Sequence, residues 1–304
     1  MLALCSVLIL SCQTSAGVHG ALTNPNDGKT VPELTQSLME KCGINEQIEN
    51  VPEKTKAEVL DCFKRNEPML GKMSDKVIGD INGIITTSFK PETIRSILAD
   101  HISSQLSADD MISVINWLDS PLGKKITHME EIASTPEAYN EMISIVPSLK
   151  LSEDYEERLE LVHEIDKSVN ATELILDRML NMQIITLTAM ASAFPAMNLP
   201  SEDLIRSNFE KNRNDISQAI SREIALSILY TYRDISKDDL QDYIRFMKTD
   251  YGKRYHEVIQ DGTNKAYADC GKKFSESVVK RISDKSSPPE DINPTSSAQY
   301  PQER

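Results

Sequence analysis

Glycine is scarce in this chain, 11 among 304 residues, and aromatics are few at 5%, with a single tryptophan. Strands favour aromatic and β-branched residues and their turns favour glycine, so this balance disfavours a sheet-rich fold. Positive charge is short as well: 33 Lys and Arg stand against 47 Asp and Glu, a net charge of -14. Binding a phosphate backbone needs a basic surface, so nucleic acid is excluded as an expected partner, and direct adhesion to anionic lipid is disfavoured. The parts of common catalytic sites are missing too. No glycine-rich phosphate loop, metal-spaced cysteine pair, His-Glu-x-x-His or Gly-x-Ser-x-Gly occurs. No cofactor and no metal are expected, and the chain does not read as an enzyme.

What is present is a stretch that occurs twice. Leu106-Ser107-Ala108-Asp109-Asp110-Met111 leads through Ile115 and Trp117 to Ser120-Pro121-Leu122-Gly123-Lys124-Lys125. At a constant offset of 129, Ile235-Ser236-Lys237-Asp238-Asp239-Leu240 leads through Ile244 and Phe246 to Thr249-Asp250-Tyr251-Gly252-Lys253-Arg254. Each copy predicts a helix, a stop and a second helix. Ser107 and Ser236 suit N-caps, and Asp110 and Asp239 sit at the positive end of the helix dipole. Met111, Val114, Ile115, Leu118 and Leu240, Tyr243, Ile244, Met247 then mark one helical face. Ser120 with Pro121, or Thr249, restarts the chain as a helix. Gly123 and Gly252 fall in its first turn, where glycine costs about 1 kcal/mol against alanine. Repeating that cost implies close packing by a neighbouring helix. Trp117 and Phe246 are expected at equivalent positions in two cores.

This pattern of Asp-Asp, an aromatic and (Ser/Thr)-x-x-Gly-Lys-(Lys/Arg) resembles the signature of a bacterial envelope family known as domain of unknown function 2059. Ile228-Leu229-Tyr230-Thr231-Tyr232, ahead of the second copy, fits as well and makes that copy the closer match. The resemblance implies a small, helical, exported protein and carries no catalytic residues with it.

The rest of the chain fits that picture. Residues 1–12 form an apolar segment too short to span a bilayer, which suits a secretory signal. Ile9-Leu10-Ser11-Cys12 resembles a lipobox with Cys12 lipidated; cleavage near Ala16 or Gly20, or an unprocessed tail, are the rivals. Residues 13–31 read as a flexible linker, 32–150 as a first helical repeat domain, 151–283 as a second, and 284–304 as a disordered tail. The expected fold is all-α, two tandem helical bundles of one type. Cys42 and Cys62 lie on neighbouring helices and are expected to be bridged in an oxidising envelope, against the alternative of buried thiols. Cys270 has no counterpart and is a lone thiol or an intermolecular link. Met179 to Ser201 carries no charge and reads as a buried core helix, with a Met-rich binding face or a membrane span as alternatives.

Five histidines remain: His19, His101, His128, His163 and His256. None is duplicated with the motif, so each is expected at the surface or half-buried, without a ligand role. Lys124-Lys125 and Lys253-Arg254 read as a solvated face. The expected function is binding or scaffolding of an envelope protein partner. Carriage of an apolar ligand or acyl chain, in a cavity lined by Met182, Ile185 and Met190, is the alternative. Membrane contact is expected only through the N-terminal lipid.

Overall fold

In the computed structural model, residue 26 and residues 28–65, 75–133, 135–193 and 200–286 are described. Cys12 with its lipobox, His19, most of the linker and residues 287–304 lie outside them. Every regular element described is a helix, so the protein is all-α. The first half holds α1 (Val31–Lys41), α2 (Ile44–Glu49), α3 (Val51–Arg65), α4 (Asp75–Ser88), α5 (Pro91–Gln105), α6 (Ala108–Leu118), α7 (Pro121–Ala133) and α8 (Pro136–Leu149). A turn at residues 150–154, where the two repeat domains were expected to meet, leads to the second half. There follow α9 (Tyr155–Val169), α10 (Ala171–Ala193), α11 (Glu202–Thr231), α12 (Lys237–Lys248) and α13 (Asp250–Ser286).

Local chemistry sets these boundaries. Thr30 and Glu33 form a capping box at α1, the Glu33 carboxylate accepting from the Thr30 amide at 2.7 Å. Ser107 and Ser236 cap α6 and α12 alike, their hydroxyls accepting from the Asp110 and Asp239 amides at 3.0 and 3.1 Å. The halves then diverge for a visible reason. In the first, Thr135 caps and Pro136 opens a new helix, separating α7 from α8. In the second, the residues at the same offset are Asn264 and Lys265, which hold no proline, so α13 runs on unbroken. The second helix of that copy therefore continues past the expected start of the tail to Ser286.

Both halves share a plan. α6 and α5 pack on α1, as α12 and α11 pack on α9. The arms that follow are exchanged. α13 lies along α5 and α6 of the first half, whereas α7 and α8 lie along α11 of the second, α7 also touching α12. Gly262 of α13 meets Leu98 and His101 of α5 so closely that an added Cβ would stand 2.6 Å from Leu98. On the other side the Tyr230 hydroxyl of α11 donates to Glu141 of α8 at 2.6 Å, and the Arg233 guanidinium lies 4.2 Å over the Tyr230 ring. One continuous core, from Leu34 to Val278, runs through both halves. Each of the two similar units is completed by the other's arm.

α10 carries the uncharged stretch. It packs on α11 and α13 through Leu180, Ile184 and Leu187, while Met179 is exposed. No helix among the described residues is long and apolar enough to cross a membrane.

Candidate functional site

The motif residues meet where the two halves touch. Trp117 and Phe246, equivalent in the repeat, stack face to face with ring centroids 3.8 Å apart and planes 9° from parallel. They do not occupy two cores but fill one between them. Tyr243 extends the stack, 5.4 Å from Trp117. The charges around it cross over reciprocally. Lys125 reaches Asp239 at 3.2 Å, and Arg254, its equivalent, reaches Asp110 at 4.0 Å. Such i-to-j and j-to-i pairing is the mark of an isologous contact about a two-fold axis. The second member of each basic pair thus makes a contact across the seam while staying, like Lys124 and Lys253, on the exposed face expected for it. At the flank, Lys41 on α1 meets Asp119 at 2.6 Å, and Glu164 on α9 meets Lys248 at 3.3 Å. Asp119 and Lys248 differ by the repeat offset of 129, so this contact is kept with its polarity reversed.

The two glycines are crowded closely by backbone, as their repetition implied. A Cβ on Gly123 would lie 2.1 Å from the carbonyl oxygen of Trp117, and one on Gly252 would lie 2.1 Å from that of Phe246. The crowding backbone is that of the preceding helix, α6 or α12. The chain turns so tightly that the second helix starts against the last turn of the first. Those same carbonyls accept from the Ser120 and Thr249 amides at 3.0 Å in both copies. The Ser120 and Thr249 hydroxyls in turn accept from the glycine amides, at 2.9 and 3.0 Å. Each glycine lets its cap close, and the cap aims the aromatic at the seam.

Beside the stack lies a buried polar group that the sequence reading passed over. Glu130 on α7 is 2% exposed and accepts from Tyr232 at 2.5 Å and from Tyr243 at 3.2 Å. Burial and the nearby carboxylate hold both tyrosine hydroxyls well above their usual range, so they remain donors. A carboxylate without such partners would be costly here. The readable signal was its repeat counterpart, Ile259: a charge standing where the other copy buries an aliphatic side chain. Arg158 was missed as well. It lies on α9 and donates to the carbonyls of Tyr232 and Ile235 at 2.7 and 2.9 Å, capping the end of α11.

No disulfide pair is found among the described residues. Cys42 is a thiol at the end of α1, fully buried against the Tyr255 hydroxyl, so its side chain is committed to the core. The side chain of Cys62 on α3 lies outside the described residues. Cys270 is fully buried as well, which is incompatible with an intermolecular link, and burial pushes its thiol up to about 11. Among the histidines, His128 and His163 are exposed and His101 is half-buried. His256 departs from expectation: it is buried among the seam aromatics, 6.2 Å from Phe246. No group of three or more His, Cys, Asp or Glu among the described residues is placed to hold a metal.

An open groove lies at the surface among the described residues. It encloses about 580 Å³ between α9 and α12, with Glu157, Glu160, Leu161 and Glu164 on one wall and Lys237, Asp238 and Gln241 on the other. Lys237 pairs with Glu157 across it. Matching Glu164 to Lys41 puts Leu34 in place of Glu157, Ala108 in place of Lys237 and Ile112 in place of Gln241. In the first half that seam is apolar and closed, with Leu34 fully buried. In the second it is charged and open. The apolar lining expected of a carrier fares differently: Ile185 packs on Gly271 of α13, 2.7 Å from where a Cβ would stand, and the side chain of Met190 lies outside the described residues. No family model matches the chain, and neither does any curated protein or solved structure.

Proposed function

We propose that this is a non-catalytic helical protein of the bacterial envelope, exported and held there through Cys12, that works by binding a partner protein along the groove between α9 and α12. The assignment to the family of domain of unknown function 2059 belongs to this proposal and rests on the repeated motif. The groove carries the reading. It is a place where two matched halves differ at the surface, with Glu157, Lys237 and Gln241 standing where the other half has Leu34, Ala108 and Ile112. Four acidic side chains against one lysine form a wall that suits an extended or helical segment bearing Lys or Arg.

Native mass spectrometry of the protein purified from its own envelope tests this. A stoichiometric polypeptide partner is expected, and it should be lost in a Glu160→Lys, Asp238→Lys variant. Both positions are exposed, so the melting temperature of that variant should stay within the small range of surface substitutions, about 0.5 kcal/mol either way. A co-purifying lipid or small apolar mass instead of a protein would favour the carrier. A partner retained undiminished by the double variant would move the binding site elsewhere.

A further inference from the structure

Around the Trp117–Phe246 stack the halves correspond position by position, and one pair breaks the correspondence in chemistry. Thr127 of α7 and His256 of α13 differ by the offset of 129, and both are buried. Thr127 is satisfied within its own helix, its hydroxyl donating to the Gly123 carbonyl at 2.8 Å. His256 puts an imidazole in the corresponding place, and its Nε2 finds no hydrogen-bond partner. That nitrogen belongs to a side chain lining a void of about 10 Å³ together with Trp117, Phe246, Tyr255 and Glu130. The void is at the lower limit for a single water.

We propose that His256 is an acid-operated latch on the seam: the halves close around the neutral imidazole and loosen when it takes a proton. The titratable groups around it are Glu130 on α7, Tyr243 on α12, Tyr255 beside it on α13, and the Cys42 thiol at the end of α1 behind Tyr255. Glu130 is already engaged by Tyr232 of α11 and by Tyr243. α6 contributes Trp117, which does not titrate. An imidazolium there would sit in an aromatic shell where the lining carboxylate, Glu130, is already held by two tyrosine hydroxyls. Burial accordingly lowers the imidazole pKa from 6.5 to about 4. The closed form then binds fewer protons than any open form, so closure is undisturbed above pH 6.5 and weakens as pH falls toward 4. The closed-to-open ratio should fall about 30-fold by pH 5, and by about 300-fold once the pH lies below the closed-state value.

The molecule carries its own reporter, because its single tryptophan is the one in the seam. Tryptophan emission of the full chain should shift to the red between pH 6.5 and 4 while the helical circular dichroism persists, and in His256→Gln this shift should vanish or move below the window. Emission unchanged down to pH 4 overturns the latch. So does an identical midpoint in His256→Gln, which would assign the change to carboxylates such as Glu130. Should His256→Gln fail to fold at neutral pH, the His256 ring proton resonance of the natural chain decides. Titration below pH 5 in step with the tryptophan supports the latch, and titration near 6.5 without a tryptophan change refutes it.

Discussion

Phe246→Ala should destabilise the whole chain by about 3–5 kcal/mol, and Trp117→Ala by a similar amount. The double variant should cost clearly less than the two together. Each ring buries its face on the other at 3.8 Å between centroids, so removing either one already forfeits the shared contact. Stacked pairs contribute about 0.5–1.5 kcal/mol beyond their area, which sets the scale of the expected non-additivity. Denaturant unfolding of the two single variants and the double variant measures it. Strictly additive losses would mean that the rings serve separate cores.

Gly123→Ala and Gly252→Ala are expected to destabilise by about 1–3 kcal/mol each, even though alanine is the better helix former by about 1 kcal/mol. The added methyl would meet a backbone carbonyl at 2.1 Å, and that oxygen cannot swing aside without opening the cap of the helix it helps to start. An internal control is available on α4. Gly79 and Gly83 have nothing within 4 Å of an added Cβ, so Gly83→Ala should raise the melting temperature. If Gly123→Ala and Gly252→Ala melt at or above the parent, the turn is looser than described.

Much of this fold could be read because it is local. The caps at Ser107 and Ser236, the buried faces Met111–Leu118 and Leu240–Met247, and the polar junction at 150–154 follow from hydrogen-bonding needs and helical period within a few residues. The unbroken α13 was legible too, had the lack of a proline at 265 been weighed against Pro136. The exchange of arms was not. Periodicity says which face of α7 or α13 is apolar, but it carries no label for which half that face meets. The crossed pairs Lys125–Asp239 and Arg254–Asp110 join residues 114 and 144 apart, and no spacing rule reaches so far. The groove escaped for a subtler reason. Glu157, Glu160 and Glu164 look like any solvated helix face until the closed, apolar counterpart at Leu34 is set beside them.

Cutting the chain between the halves tests the central claim most directly. Leu151 is 86% exposed in the turn at 150–154, so a recognition site for a specific protease placed there can be cut without disturbing packing. With the arms exchanged, the two fragments should stay together through size-exclusion chromatography, elute at the position of the intact chain, and unfold in one transition. Two fragments that separate under native conditions, each folded and melting at its own temperature, would show that the halves are independent bundles and contradict the shared core.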